Sequence, residues 1–174
     1  MPTKLTSIGA SAFLNCESLE SIDIPDTVTE IGDRAFANSG LRMLVIPSGV
    51  TAVNYDLCNE NHNLNEVVFS PNTKSVEMTA FSGCSNLKNI DLPDGLEKIG
   101  KMAFLSSVNA RIYIPQSVTD IEKKAFNDNA VIYGYANSAA EEFAKNNDIS
   151  VGREHFYLDS QIAWYRSDYT TDNY

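Results

Sequence analysis

The sequence predicts a solenoid, a fold in which similar short turns stack and each turn buries its apolar side against its neighbours. Apolar residues recur at a fixed spacing, other positions follow the same period, and the pattern ends in a helix signal. The recurring residues, the anchor positions, are Phe13, Phe36, Cys58, Phe81, Phe104 and Phe126, which lie 22 or 23 residues apart. This period predicts about six turns of 22–23 residues. We expect a mainly β solenoid with short helical turns and a C-terminal capping helix.

An apolar triplet spaced L-x-x-I-x-I follows the anchor positions and predicts the strand of each turn. Its last two members are two residues apart, so both side chains point to one side of a sheet. The triplets are Leu19, Ile22, Ile24; Leu41, Leu44, Ile46; Leu64, Val67, Phe69; and Leu87, Ile90, Leu92, while the fifth copy has Asn109 ahead of Ile112 and Ile114. Prolines, which lack a backbone donor, limit each strand to about five residues. These prolines are Pro25, Pro47, Pro93 and Pro115, with Pro71 displaced by one position.

A second short strand is predicted in the V-T-x-I segments, because β-branched residues favour extended backbone. Gly9, Gly32 and Gly100 follow three of these segments and would allow a bend into the Ala-Phe pair of the next anchor position. We expect a short helical turn around this pair, the A-F turn.

The repeat pattern changes after Phe126 and predicts a closing structure. Residues 131–133 should form a final strand and residues 138–145 a capping helix, because Ser138 and Glu141 have the spacing of a capping box. We therefore divide the chain into a solenoid of residues 1–149, with its helix near 138–146, and an aromatic-rich segment of residues 150–174. That segment is expected to fold back over the capping helix, to make a small hairpin or to be partly disordered, with residues 167–174 polar enough to be loose. The alternative is that it begins a further module or docks on a partner. No cap precedes Leu5, so we expect the chain to be part of a longer protein whose uncapped first turn is either frayed or paired with another molecule.

The segments "LTSIGASAFLNCESLESIDIP" and "LEKIGKMAF" resemble the repeat of BspA-like leucine-rich repeat proteins, and the resemblance covers roughly residues 4–149. The L-x-x-L-x-L pattern of leucine-rich repeats is present, but the Asn or Cys usually found three residues later is not. This departure favours the BspA-like subclass over the ordinary horseshoe type. The resemblance implies a secreted or surface-displayed protein of bacteria or some protozoa, often linked to adhesion.

Composition and charge exclude several classes of partner. The formal net charge of −10 opposes binding to nucleic acid and to anionic membrane surfaces. No stretch approaches the roughly 18 apolar residues of a membrane span, so we expect no membrane insertion. The first residues do not have the pattern of a signal peptide. We expect localisation outside the cell or on its surface from the family resemblance alone.

The candidates for catalysis or metal binding are few. Cys58 and His62 are four residues apart and could form a nucleophile-base pair or half of a zinc site. Packing explains Cys58 better, because it takes the place of an anchor phenylalanine. Cys16 and Cys84 share one column of the repeat, three turns apart and beyond disulfide reach, and both are expected to be small buried groups. We predict no catalytic residue, no cofactor and no metal site, and hence no enzyme.

The outward side of the triplet strands, the strand face, is the predicted binding surface. Exposed apolar residues beside Arg and Tyr have the composition of protein-binding hot spots. The candidate binding residues are Arg42, Met43, Val45, Glu66, Val68, Lys88, Arg111 and Tyr113. We expect a non-catalytic extracellular module that binds a protein or glycan through this face. The alternatives are an architectural spacer within a larger surface protein and the non-catalytic part of a larger secreted enzyme.

Overall fold

A computed structural model describes residues 4–147, 149–151 and 162–163, and it is a β-solenoid of about six turns closed by a helix. Its elements in chain order are β1 Ser7–Ile8, β2 Glu30–Ile31, β3 Met43–Val45, β4 Ala52–Val53, β5 Glu66–Val68, β6 Ser75–Val76, β7 Asn89–Asp91, β8 Lys98–Ile99, β9 Arg111–Tyr113, β10 Asp120–Ile121, β11 Val131–Tyr135, α1 Ala139–Asn146, β12 Ser150–Val151 and β13 Ile162–Ala163.

The V-T-x-I segments form the first ladder of parallel strands, as predicted. β4, β6, β8 and β10 pair in sequence order, and β1 pairs with β2. The inward residues of this ladder, from Ile8 to Ile99, are buried. Between β2 and β4 the Asn54 side chain replaces the backbone bond, because its Nδ2 donates to Ile31 O at 2.7 Å.

The triplet strands form the second ladder, but they are shorter than the predicted five residues. β3, β5, β7 and β9 each span three residues. The first residue of the triplet is not part of the strand, because its backbone closes the β-turn that comes just before the strand. Leu64 N–H, for example, donates to Asn61 O at 3.1 Å. The predicted strand at Ile22 and Ile24 is wrong: the backbone there forms no strand, although Arg42 N–H donates to Glu20 O at 3.1 Å at the beginning of this segment.

The A-F turns are consecutive β-turns and not the helical turns that the sequence suggested. The residue two before each anchor position has a φ between 53° and 58°, in the left-handed region that a right-handed helix cannot contain. These residues are Ser11, Arg34, Asp56, Thr79, Met102 and Lys124. A third set of backbone bonds joins the A-F turns, as from Phe81 N–H to Ala103 O at 2.8 Å.

Aromatic rings stack through the centre of the solenoid at the anchor positions. The ring centroids of Phe13 and Phe36 are 5.3 Å apart, and those of Phe81 and Phe104 are 5.4 Å apart, both pairs nearly parallel. The next pair, Phe104 and Phe126, is 5.9 Å apart. Cys58 interrupts the stack and is fully buried, as expected.

Close approach of neighbouring turns, and not a positive φ, requires glycine at two of the three repeated positions. A Cβ added to Gly32 would lie 2.5 Å from Ala10 N, and one added to Gly100 would lie 2.6 Å from Met78 N. Neither glycine has a positive φ. A turn does begin at Gly9, Gly32 and Gly100, as expected, because each glycine carbonyl accepts from the N–H three residues later. At Gly32 and Gly100 the glycine also allows two backbones to touch, whereas Gly9 has open space around it.

A column of small polar side chains runs through the core three residues after the anchor positions. Its buried members are Ser39, Asn61, Cys84 and Ser107. Asn61 Oδ1 accepts from Ser39 N–H at 2.5 Å, and Asn61 Nδ2 donates to Phe36 O at 2.8 Å. The Cys84 thiol donates to Cys58 O at 3.2 Å. These bonds join one turn to the next. Cys16, in the same column, was predicted to be buried but is only half-buried, because among the described residues it has a neighbouring turn on one side only.

The C-terminal cap forms as the capping-box signal predicted. Ser138 is the N-cap of α1, and its Oγ accepts from Glu141 N–H at 3.4 Å. Phe143 is buried and meets Phe126 edge-on at 5.6 Å between centroids. The final strand extends two residues beyond the predicted 131–133, and β12 and β13 pair with it. The rest of the prediction for residues 150–174 falls outside the described residues.

Substitution of a stacked anchor ring tests how much the turns depend on one another. We expect Phe104→Ala to lower the free energy of unfolding by about 3–5 kcal/mol, because the ring is fully buried between two others and leaves a cavity. Phe13→Ala is the matched control and should cost less, since that ring is half-exposed and stacks on one side only. Urea unfolding of both variants measures the difference. Equal losses would contradict the stacked arrangement.

Candidate binding surface on the strand face

The outward side chains of the second ladder form two columns that cross the turns. Pairing of β3 with β5 sets Met43 beside Glu66 and Val45 beside Val68. Pairing of β7 with β9 sets Asn89 beside Arg111 and Asp91 beside Tyr113. The alternation of side chains along each strand directs the intervening Leu44, Val67, Ile90 and Ile112 into the core.

An apolar patch occupies the β3 and β5 part of this surface. The relative exposures of Met43, Val45 and Val68 are 41%, 48% and 41%, which are high for large apolar residues. The register places Val45 and Val68 directly side by side. The structure thus brings together three of the residues that the sequence singled out.

The predicted basic residues differ in what they contact. Arg42 lies beside the patch and forms an ion pair with Glu20 at 3.3 Å. Lys88 Nζ donates to Ser85 O and Val108 O, both at 2.8 Å, so its ammonium group holds neighbouring turns together. Arg111 is exposed on the second ladder.

Tyr113 belongs to an aromatic pair at the C-terminal part of the strand face. Its ring stacks on Tyr133, with centroids 4.6 Å apart and planes 16° apart. Tyr133 is buried and Tyr113 half-buried, so this part of the face is more covered than the apolar patch.

A groove, which the sequence analysis missed, separates β5 from β7. It has a volume of about 440 Å³ and is lined by Asn65, Glu66, Val67, Val68, Phe69, Asn89 and Asp91. The second ladder is interrupted here, since among the described residues β5 pairs with β3 and β7 pairs with β9, but β5 and β7 do not pair with each other. Two signals in the sequence mark the place: the triplet ends in Phe69 in place of Ile or Leu, and Pro71 is displaced by one position.

The Phe69 ring is turned toward the interrupted ring stack. It meets the Phe81 ring edge-on, with centroids 5.8 Å apart. The Phe81 ring also stacks on Phe104. Cys58 supplies no ring at the preceding anchor position, so Phe104 is the one anchor ring that stacks on Phe81. Phe69 is the second aromatic partner of Phe81.

The Cys58 and His62 pair does not form the site that their spacing allowed. Cys58 is fully buried, and burial raises the pKa of its thiol to about 12. His62 is exposed, with Nδ1 2.9 Å from Gly83 O and Nε2 3.4 Å from Glu60 Oε2. Within residues 4–147, 149–151 and 162–163, no group of three or more His, Cys, Asp or Glu side chains could hold a metal ion.

A second pair of exposed apolar residues lies on the A-F turns of two adjacent repeats. Tyr55 and Met78 occupy the same position of the repeat and have relative exposures of 40% and 42%. A hydrogen bond with Asp56 raises the pKa of Tyr55. This pair was not among the predicted residues, although its place three residues before successive anchor positions could have revealed it.

A model of the BspA type leucine rich repeat region matches six copies in this sequence, over residues 1–74 and 55–138. The chain belongs to this family. Its solenoid of short parallel strands is the expected leucine-rich repeat architecture. The family assignment describes a repeat module and does not specify what it binds.

Two solved structures are similar to this chain. The chain is 22% identical to a leucine-rich repeat protein from Bacteroides ovatus, with a TM-score of 0.49 over 76% of this chain and 47% of that one. It is also 22% identical to a leucine rich cell surface protein from Faecalibacterium prausnitzii, with a TM-score of 0.46 over 76% of this chain and 52% of that one. The chain thus spans about half the length of each. A search of curated proteins found no significant match.

Among the residues that the structure describes, no helix has both the length and the apolar character needed to cross a bilayer.

Thiol labelling distinguishes a buried packing cysteine from a reactive one. We expect a thiol reagent at neutral pH to modify the half-buried Cys16 in the folded protein and to leave Cys58 and Cys84 unmodified. Burial raises the pKa of both buried thiols, so little thiolate is present. Mass spectrometry identifies the labelled residues, and labelling in concentrated guanidinium chloride shows that all can react. Rapid modification of Cys58 in the folded state would contradict its packing role.

Proposed function

We propose that the chain is a non-catalytic module, secreted or displayed on the cell surface, that binds an extracellular protein or glycan through the strand face. The observation that carries this proposal is the patch of Met43, Val45 and Val68, which are exposed and adjacent on a rigid ladder. Membership of a leucine-rich repeat family supports a role in presenting a surface. The surface location is supported by the family resemblance.

The surroundings of the patch favour recognition of a partner over simple solvent exposure. Clusters of exposed apolar side chains are uncommon on the surface of a monomer and often mark interaction sites. Here the apolar cluster is bordered by Arg42 and Glu66, and a polar border that excludes water is typical of binding hot spots. The parallel ladder fixes the backbone positions, so a partner would meet a surface that is already ordered.

The test compares acidic substitutions on and off the strand face. We expect Met43→Asp and Val68→Asp each to weaken binding at least tenfold, or about 1.4 kcal/mol, because each places a charge in a desolvated contact. Binding is measured as capture of the purified chain by cells or by extracellular glycoproteins.

The matched controls are Met78→Asp and Val108→Asp, which change the same residue types at similar exposure elsewhere on the solenoid. These controls should bind like the parent chain. Undiminished binding of both strand-face variants would reject the proposed surface and favour an architectural spacer.

A further inference from the structure

We infer that the groove between β5 and β7 is a binding site for a neutral carbohydrate. This inference rests on the proposed function and names both the class of ligand and the place on the strand face where it binds. The groove is lined on one side by Asn65, Glu66 and Val68 and on the other by Asn89 and Asp91. Its volume of about 440 Å³ lies within the range of small-molecule sites.

The interrupted ladder leaves main-chain groups available at this groove. In the two neighbouring strand pairs, Ile46 N–H donates to Val68 O at 2.9 Å and Leu92 N–H donates to Tyr113 O at 3.1 Å. The equivalent bond from Phe69 N–H to Asp91 O is missing. Among the described residues, neither of these two groups has another hydrogen-bond partner. A donor and an acceptor of the backbone therefore face the same groove and require water or a ligand.

The lining side chains supply hydrogen-bonding groups of both kinds. The carboxylates of Glu66 and Asp91 accept, whereas the amides of Asn65 and Asn89 both donate and accept. All four residues are exposed, and among the described residues neither carboxylate takes part in an ion pair. A sugar hydroxyl donates one hydrogen bond and accepts others, so neighbouring hydroxyls match this alternation.

The apolar part of the lining and the absence of a cation narrow the class of ligand. Val68 and the half-buried Phe69 border the groove and can contact the C–H faces of a sugar ring. No Lys or Arg lines the groove, and the ammonium group of Lys88 is bound to Ser85 O and Val108 O. With a net charge of −10 on the chain, an anionic sugar would be repelled. A neutral sugar meets no such repulsion and matches the mixture of hydrogen-bonding and apolar groups in the lining.

The spacing of the strands disfavours a peptide inserted as an extra strand. An inserted strand needs about 4.8 Å on each side, or about 9.6 Å between its two neighbours, whereas Cα atoms of β5 and β7 lie within 8 Å of one another. The groove is a break in the hydrogen bonding between adjacent strands and not a missing strand. A pyranose at the mouth of the groove can reach both strands without entering the core.

The experiment starts with an array of neutral and anionic oligosaccharides probed with the purified chain. We expect binding to neutral oligosaccharides only. Titration of the ¹⁵N-labelled chain with the strongest array ligand should then shift the amide signals of residues 67–69 and 89–91, including Phe69 N–H. Binding to no neutral oligosaccharide, or shifts confined to other turns, would overturn the inference.

Two pairs of variants test the groove itself. Asp91→Ala and Glu66→Ala should each weaken oligosaccharide binding about tenfold or more, the loss expected when a hydrogen bond to a charged group is removed. Asp23→Ala and Glu30→Ala are the controls, because Asp23 holds the repeat position of Asp91 in the first turn and Glu30 is exposed on the first ladder. Equal effects of test and control variants would overturn the inference.

A further arm separates this inference from the proposed function. Met43 lies on the apolar patch and does not line the groove. If no neutral oligosaccharide binds but Met43→Asp abolishes capture by an extracellular protein, the groove inference fails and the proposed function stands. Groove amides shifted by an oligolysine peptide, without any response to neutral oligosaccharides, would identify a cationic peptide site and also overturn it.

Discussion

The stacking of apolar side chains at equivalent positions of successive turns is the contact on which the rest of this structure depends. A turn of 22 or 23 residues is too small to enclose a core, so each turn is stable only against its neighbours. The aromatic rings at the anchor positions fix the spacing between turns, and the backbone ladders then follow in parallel register. The strand face is ordered for the same reason, because its outward residues alternate with inward residues that are packed in the core.

The one anchor position without a ring is linked to the groove. Because Cys58 has no ring, Phe81 stacks on one anchor ring, that of Phe104, and the Phe69 ring meets Phe81 edge-on. Phe69 occupies the strand position that Ile and Leu hold in other turns, and its N–H is the group that lacks its expected partner on Asp91. A change in the core is thus transmitted by one side chain to the exposed face. The same turn also contains the break between β2 and β4, where Asn54 bridges the first ladder.

Much of the fold could be predicted because its signals are local. The period placed the core columns, the proline positions indicated where strands end, and Ser138 with Glu141 marked the beginning of the helix. The A-F turns could not be predicted in the same way. Their left-handed positions are held by residues as different as Ser11 and Lys124, so no residue type marks them and the stacked backbone enforces the conformation.

The candidate surface was predictable in outline and not in its contacts. Alternation along the strands correctly directs Met43, Val45 and Val68 outward. It does not say that the long side chain of Lys88 bends back to two turn carbonyls. The groove exists because Phe69 N–H and Asp91 O, 22 residues apart, do not form a hydrogen bond. Whether this bond forms depends on how the two turns stack, and neither segment alone reveals it.

The bonding of Asn61 limits how this array can evolve. Repeat proteins change length by gaining or losing whole units, which is tolerated when every junction is equivalent. The junction at Asn61 is not equivalent to the others, since one fully buried amide both receives from Ser39 and gives to Phe36 in the preceding unit. Removing either of these two adjacent units, or inserting another between them, would leave that amide without its partners in an apolar interior. Length variation is therefore expected at the outer units, with the central pair inherited together.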